Sequence, residues 1–151
     1  MKVRRILYPT DFSENAEAAW PHAREMAQEL GAALLLLHVI PAPTMTPETF
    51  LAAEQWAEIF AAQRREAEAK LRALAATAPA VKAEVLVTRG VPFGEIARVA
   101  RDRKADLIVM GTHGRPGLVH ALMGSVAERV VRFAPCPVLT VRHAGMQVEA
   151  A

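Results

Sequence analysis

The chain has 151 residues, 52% of them hydrophobic and 23% charged, with a formal net charge of only +2 from 18 Lys+Arg against 16 Asp+Glu. This is the length of one domain with enough apolar material for a core. Basic residues are interleaved with acids, as in Gln63-Arg-Arg-Glu-Ala-Glu-Ala-Lys70, and aromatics make up 5%, so the basic, aromatic-studded surface of a nucleic-acid binder is not expected.

No apolar run approaches the ~20 residues that span a bilayer. The N-terminus, Met-Lys-Val-Arg-Arg, starts directly into a strand pattern without an apolar h-region and cleavage site, so a secretory signal is not expected. The single cysteine, Cys136, excludes an intrachain disulfide. These features together lead us to expect a cytoplasmic protein.

Residues Lys2 to Tyr8 read as a first strand. Pro9-Thr-Asp-Phe-Ser breaks the pattern, and Ser13 is a good helix N-cap. Ala16, Ala19, Trp20, Ala23, Ala27 and Leu30 then recur at helical spacing up to Gly31. Ala32 to Ile40 is continuously apolar except for His38, as expected of a strand covered on both faces. Pro41-Ala-Pro43 ends it. Thr46-Pro47 predicts an N-cap and first helical position, opening a helix to about Thr77. Trp56, Phe60, Gln63, Ala67, Leu71 and Leu74 trace one face of it. At ~30 residues this helix exceeds the usual length, so either it breaks or its first half projects over the end of the sheet.

Ala83 to Thr88 is mixed enough to be an edge strand. Gly90-Val-Pro92 leads into a helix over Phe93 to Arg103, and Asp106 to Met110 is a fourth apolar strand. A helix over Ser125 to Phe133 and a last strand over Val138 to Arg142 follow. We assign residues 1–143 to one domain and 144–151 to a flexible tail. The alternation βαβαβαβαβ predicts an α/β fold with a single doubly wound parallel sheet and helices on both faces.

Between the fourth strand and the following helix the chain reads Gly111-Thr-His-Gly114, then nine residues, then Gly124-Ser125. Glycines let backbone come close to a ligand, and a helix start offers unpaired N–H groups at the positive end of its dipole. Together they form an anion cradle, most often for phosphate. Glycines that merely serve turns are the alternative.

The full spacing, G-x2-G-x9-G-S between a buried strand and a helix, resembles the nucleotide-binding signature of the universal stress protein family. The resemblance runs from Arg5-Ile-Leu-Tyr-Pro-Thr-Asp11-Phe-Ser13 to Pro137-Val-Leu-Thr-Val141. It implies strand order 3-2-1-4-5, a site at the switch point between the first and fourth strands, and membership of the ATP-binding branch of the family. The ligand expected is ATP, ADP or AMP, with Mg2+ accompanying the nucleotide.

By the same resemblance Pro9, Thr10 and Val39 match positions around the adenine, and Met110 packs near ribose or base. Asp11 lies beside the nucleoside and the metal–phosphate region; its other reading is an Asx-turn stabiliser. Gly111 and Gly114 are expected to let backbone approach ribose and phosphate. The N–H groups of Ser125, Val126 and Ala127, following Gly124, are expected to face phosphate oxygens. The Ser125 hydroxyl either adds a bond to phosphate or caps the helix. His113 and Arg115 are candidates for phosphate contact, and His113 reads equally as a solvated loop residue. Gly90 and Pro92 are placed on the rim.

The last strand is apolar and at an edge. An open edge is a pairing liability, so a homodimer through Val138, Leu139, Thr140 and Val141 is expected. The function implied is regulation by nucleotide occupancy in a stress response, with an unidentified client protein. The alternative is a slow Mg-dependent ATP hydrolase or a phosphoryl or nucleotidyl transferase. The sequence holds no G-x4-G-K-[ST] pattern and no evident acid–base pair to drive rapid turnover.

Overall fold

The computed structural model describes residues 1–47, 50–113 and 123–144. Five strands, β1 (Arg5–Pro9), β2 (Ala33–Pro41), β3 (Ala83–Gly90), β4 (Leu107–Gly111) and β5 (Val138–Val141), form one sheet in the order β3-β2-β1-β4-β5. Every pairing is parallel, with Leu7 opposite Leu35 on one side and Ile108 on the other. The helices are α1 (Glu14–Glu17), α2 (Trp20–Leu30), α3 (Ala53–Ala76), α4 (Pro92–Asp102) and α5 (Ser125–Phe133).

Side chains alternate across a strand, and here both sides are buried. Ile6, Tyr8, Leu34, Leu36 and Val109 pack with Trp20, Ala23 and Ala27 of α2 and Leu71 of α3. Leu7, Leu35, Leu37, Ile108 and Met110 pack with Ile96 and Val99 of α4 and Ala127 and Val130 of α5. This double coverage explains why the central strands read as unbroken apolar runs. Among the described residues no helix is long and apolar enough to cross a membrane.

Most boundaries differ from the sequence reading by a residue or two, and the larger differences are at three places. The first helical stretch is two helices, because Pro21 occupies the first turn of a new helix, where its missing N–H is tolerated. The long helix begins at Ala53 instead of Pro47, with the Ala52 N–H satisfied by the Gln55 side chain at 2.9 Å. β1 starts at Arg5, three residues later than expected, and runs on through Pro9. The Gly145–Ala151 part of the expected tail lies outside the described residues.

Candidate functional site

β1 and β4 are neighbours whose following connections leave toward opposite faces of the sheet, so their carboxyl ends part and leave a crevice. A cavity of 1090 Å3 occupies it. Pro9, Thr10, Asp11, Val39, Met110, Gly111, His113, Gly124, Ser125, Val126 and Ala127 all line it. Gly114 and Arg115 lie outside the described residues.

The turn after β1 is braced from within by its own polar groups. The Thr10 N–H donates to the Leu37 carbonyl at 2.9 Å, and the Phe12 N–H donates to Thr10 Oγ1 at 3.0 Å. Asp11 Oδ1 accepts from the Ser13 N–H at 3.0 Å and from the Ser13 hydroxyl. Ser13 Oγ in turn accepts from the Ala16 N–H at 3.2 Å, so Ser13 is the N-cap of α1 as its type suggests. Asp11 therefore has its turn-stabilising role, while its side chain also borders the cavity.

On the other side of the crevice α5 begins. Its N-cap is Gly124, with extended backbone and no side-chain cap bond. Ser125 is the first helical residue, which removes the N-cap reading of its hydroxyl. The opening amides of α5 thus border the cavity at the positive end of the helix dipole. The Gly124 N–H donates to the Thr112 carbonyl at 2.6 Å, joining β4 directly to the start of α5. His113 is buried, with Nδ1 3.0 Å from Thr112 Oγ1.

Gly111, which lines the cavity as expected of a ligand-approach residue, also has a packing role. A Cβ there would drive into the Asn15 carbonyl, so its bareness serves close contact between β4 and α1. Of the two rim residues, Pro92 borders the cavity. Gly90 has φ of +151°, and its missing side chain makes room for Glu95.

Several lining residues were missed. Phe12, His38 and, from α3, Gln63, Glu66, Ala67 and Lys70 also line the cavity. The signals were present: His38 interrupts an otherwise apolar strand, and Gln63 interrupts the apolar face of α3. Lys70 is the only lysine or arginine among the described lining residues, set against Asp11, Glu14 and Glu66. It pairs with Glu66 at 3.3 Å on a half-exposed face, where such a pair adds little stability. No group of three or more His, Cys, Asp or Glu suited to a metal ion exists among the described residues.

A five-stranded parallel sheet with its strand order reversing at β1, a cavity at that reversal and a helix start facing it define an open α/β domain with a ligand cleft at its switch point. The chain belongs to the universal stress protein family, whose family model matches residues 2–142.

Among its relatives, Universal stress protein MJ0531 of Methanocaldococcus jannaschii is 39% identical over 143 residues, covering 92% of this chain and 82% of that protein. The solved structure of protein MJ0577, a universal stress protein of the same organism, superposes with a TM-score of 0.83 at 32% identity, covering 96% and 99% of the two chains. Two more distant structures share the fold. A universal stress protein solved in complex with cAMP gives a TM-score of 0.65 at 24% identity, covering 94% and 98%. An Arabidopsis thaliana family member solved with AMP bound gives 0.66 at 17%, covering 94% and 93%.

Proposed function

We propose that the chain binds an adenine nucleotide in the β1–β4 crevice and acts as a regulatory stress-response module through nucleotide occupancy. The observation that carries this reading is the meeting of two independent motifs at one cavity: the Pro9-Thr-Asp11 turn and the glycine-flanked start of α5. The phosphates are assigned to the opening amides of α5, where charge and N–H direction favour an anion. The base and ribose are assigned to Pro9, Thr10, Asp11, Val39 and Met110, and Gly111, His113, Gly114 and Arg115 are proposed as the residues that contact phosphate. Two proteins of the same fold with cAMP and AMP support the ligand class.

The residues fit a metal only as a companion of the nucleotide. Asp11 is the candidate to meet Mg2+ carried on the phosphates, since its carboxylate beside a polyphosphate calls for an intervening cation. The module is assigned to the cytoplasm and to a homodimer formed along β5.

The test is calorimetric titration of the purified, nucleotide-stripped protein with Mg-ATP, with phosphate release followed in the same sample. Micromolar binding without turnover is expected. Sustained turnover would promote the hydrolase reading and put Asp11 and His113 first for substitution. No binding to ATP, ADP, AMP or cAMP would overturn the nucleotide reading.

A further inference from the structure

Phe12 has a φ of +64°, a left-handed conformation that a bulky side chain adopts only under compensation. A glycine would take the same backbone without strain. What compensates here is visible in the contacts. The Phe12 ring stacks on the His38 ring, with centroids 4.6 Å apart and planes 28° from parallel. The Lys70 ammonium lies 5.0 Å from the centroid of the Phe12 ring, within reach of the attraction between a cation and an aromatic face.

His38 is itself held. Its Nδ1 lies 2.8 Å from the Thr10 carbonyl. A carbonyl only accepts, so Nδ1 carries the proton and donates. The turn after β1, the end of β2 and the middle of α3 therefore meet on one ring, and Asp11, Phe12, His38 and Lys70 all border the cavity.

We propose that Phe12 is the positioning residue of the nucleotide site, holding the Asp11 turn at the cavity through its stack with His38 and Lys70, so that α3 is part of the site. The inference rests on the nucleotide reading of the cavity. Physically, a ligand that meets Asp11 gains from a turn already held in place, because the ordering is not charged against binding. The strain at Phe12 persists because ring contacts from two other elements over-determine it.

The experiment is Mg-ATP titration calorimetry on the full, nucleotide-stripped chain, with melting temperature recorded for each variant. Phe12→Gly relaxes the backbone but removes the ring; it is expected to weaken binding about tenfold while the protein stays folded. Phe12→Tyr keeps the ring and should bind as the parent does. Lys70→Met should weaken binding about threefold and Lys70→Arg should restore it. Combined with Phe12→Gly, Lys70→Met should add nothing further, because its effect passes through the ring; a lysine acting on the ligand directly would keep its full effect there.

Parent-like affinity of Phe12→Gly, or full additivity of the two substitutions, overturns the inference and leaves the nucleotide reading intact. A parent protein that binds no adenine nucleotide overturns both.

Discussion

The Gly124 amide donates to the Thr112 carbonyl at 2.6 Å, and a Cβ built on Gly124 would stand 3.1 Å from that same oxygen and 3.2 Å from His113 Cα. The start of α5 is thus set so close against the end of β4 that a side chain would fit only if its backbone neighbours gave way by a few tenths of an ångström. The backbone of Gly124 is ordinary, with φ of −67°, so the glycine is required by proximity and not by conformation. Gly124→Ala should open this junction by a few tenths of an ångström and turn the first amides of α5 away from the ligand. The expected result is Mg-ATP affinity weakened by about three- to tenfold, roughly 0.7–1.4 kcal/mol, with an unaltered circular dichroism spectrum. Parent-like affinity would mean that the α5 amides do not hold the phosphates.

Gly111→Ala tests a different relationship. Its Cβ would collide with the Asn15 carbonyl and come within 3.2 Å of Ala16 Cα. Backbone meets backbone here, so no flexible side chain can swing away. Overpacking of this kind costs about 1–3 kcal/mol, which for a chain of this size lowers the melting temperature by roughly 3–10 °C. Differential scanning calorimetry decides it. An unchanged melting temperature would mean that α1 shifts at no cost, and the bareness of Gly111 would then have to be explained by the ligand.

The contrast between these two glycines shows where sequence reasoning stops. Spacing picked out Gly111 and Gly124 together as parts of one ligand cradle. Only coordinates show that the first accommodates α1 and the second the β4–α5 junction. The sheet was legible because double burial leaves an apolar signature in Leu34–Leu37 and Leu107–Met110, and the helices because their apolar faces recur every three or four residues. Helix starts were less legible. Pro21 could have announced a new helix, whereas Gln55 capping Ala52 carries no strong local signal beside the stronger-looking Thr46-Pro47. The α3 wall of the cavity was hidden because Lys70 lies 58 positions from Phe12 in sequence, and no local pattern reports such a meeting.

Tyr8 gives the fold a weakness to base. It is fully buried in β1, and its hydroxyl donates to the Ala16 carbonyl at 2.9 Å. Burial pushes its pKa up from 10.0 to about 12, with Glu17 and Asp11 adding to the rise and Thr10 opposing it. The unfolded chain ionises this phenol near 10. The contribution is therefore fully present below pH 10 and is lost as pH rises from 10 to about 12, where the unfolded state has released a proton that the native state still holds. Its size is about 2–3 kcal/mol. Tyr8→Phe should cost about 1 kcal/mol at neutral pH through the lost hydrogen bond, yet fall less steeply above pH 10. Denaturant titrations of both proteins at pH 8, 10 and 11 check this; parallel losses would assign the alkaline sensitivity to other groups.

The two edges of the sheet differ, and that difference predicts the assembly. At the β3 edge, Arg64 reaches from α3 and donates to the Val87 carbonyl at 3.1 Å, occupying an acceptor that an incoming strand would need. β5, at the other edge, is a short apolar strand of four residues, Val138 to Val141, with Leu139 37% exposed. Open edges invite pairing unless charge or cover blocks them, and a two-fold axis lets one β5 lie antiparallel to another with the same residues on both sides. Placing a charge on that strand should break the contact, because two like charges would face each other across the axis. Val138→Lys combined with Leu139→Lys is expected to give a monomer at micromolar concentration by light scattering, where the parent protein is itself expected to give a dimer in the same measurement. A dimer that survives both substitutions would move the interface away from β5, and a monomeric parent would remove the homodimer from the proposed mechanism.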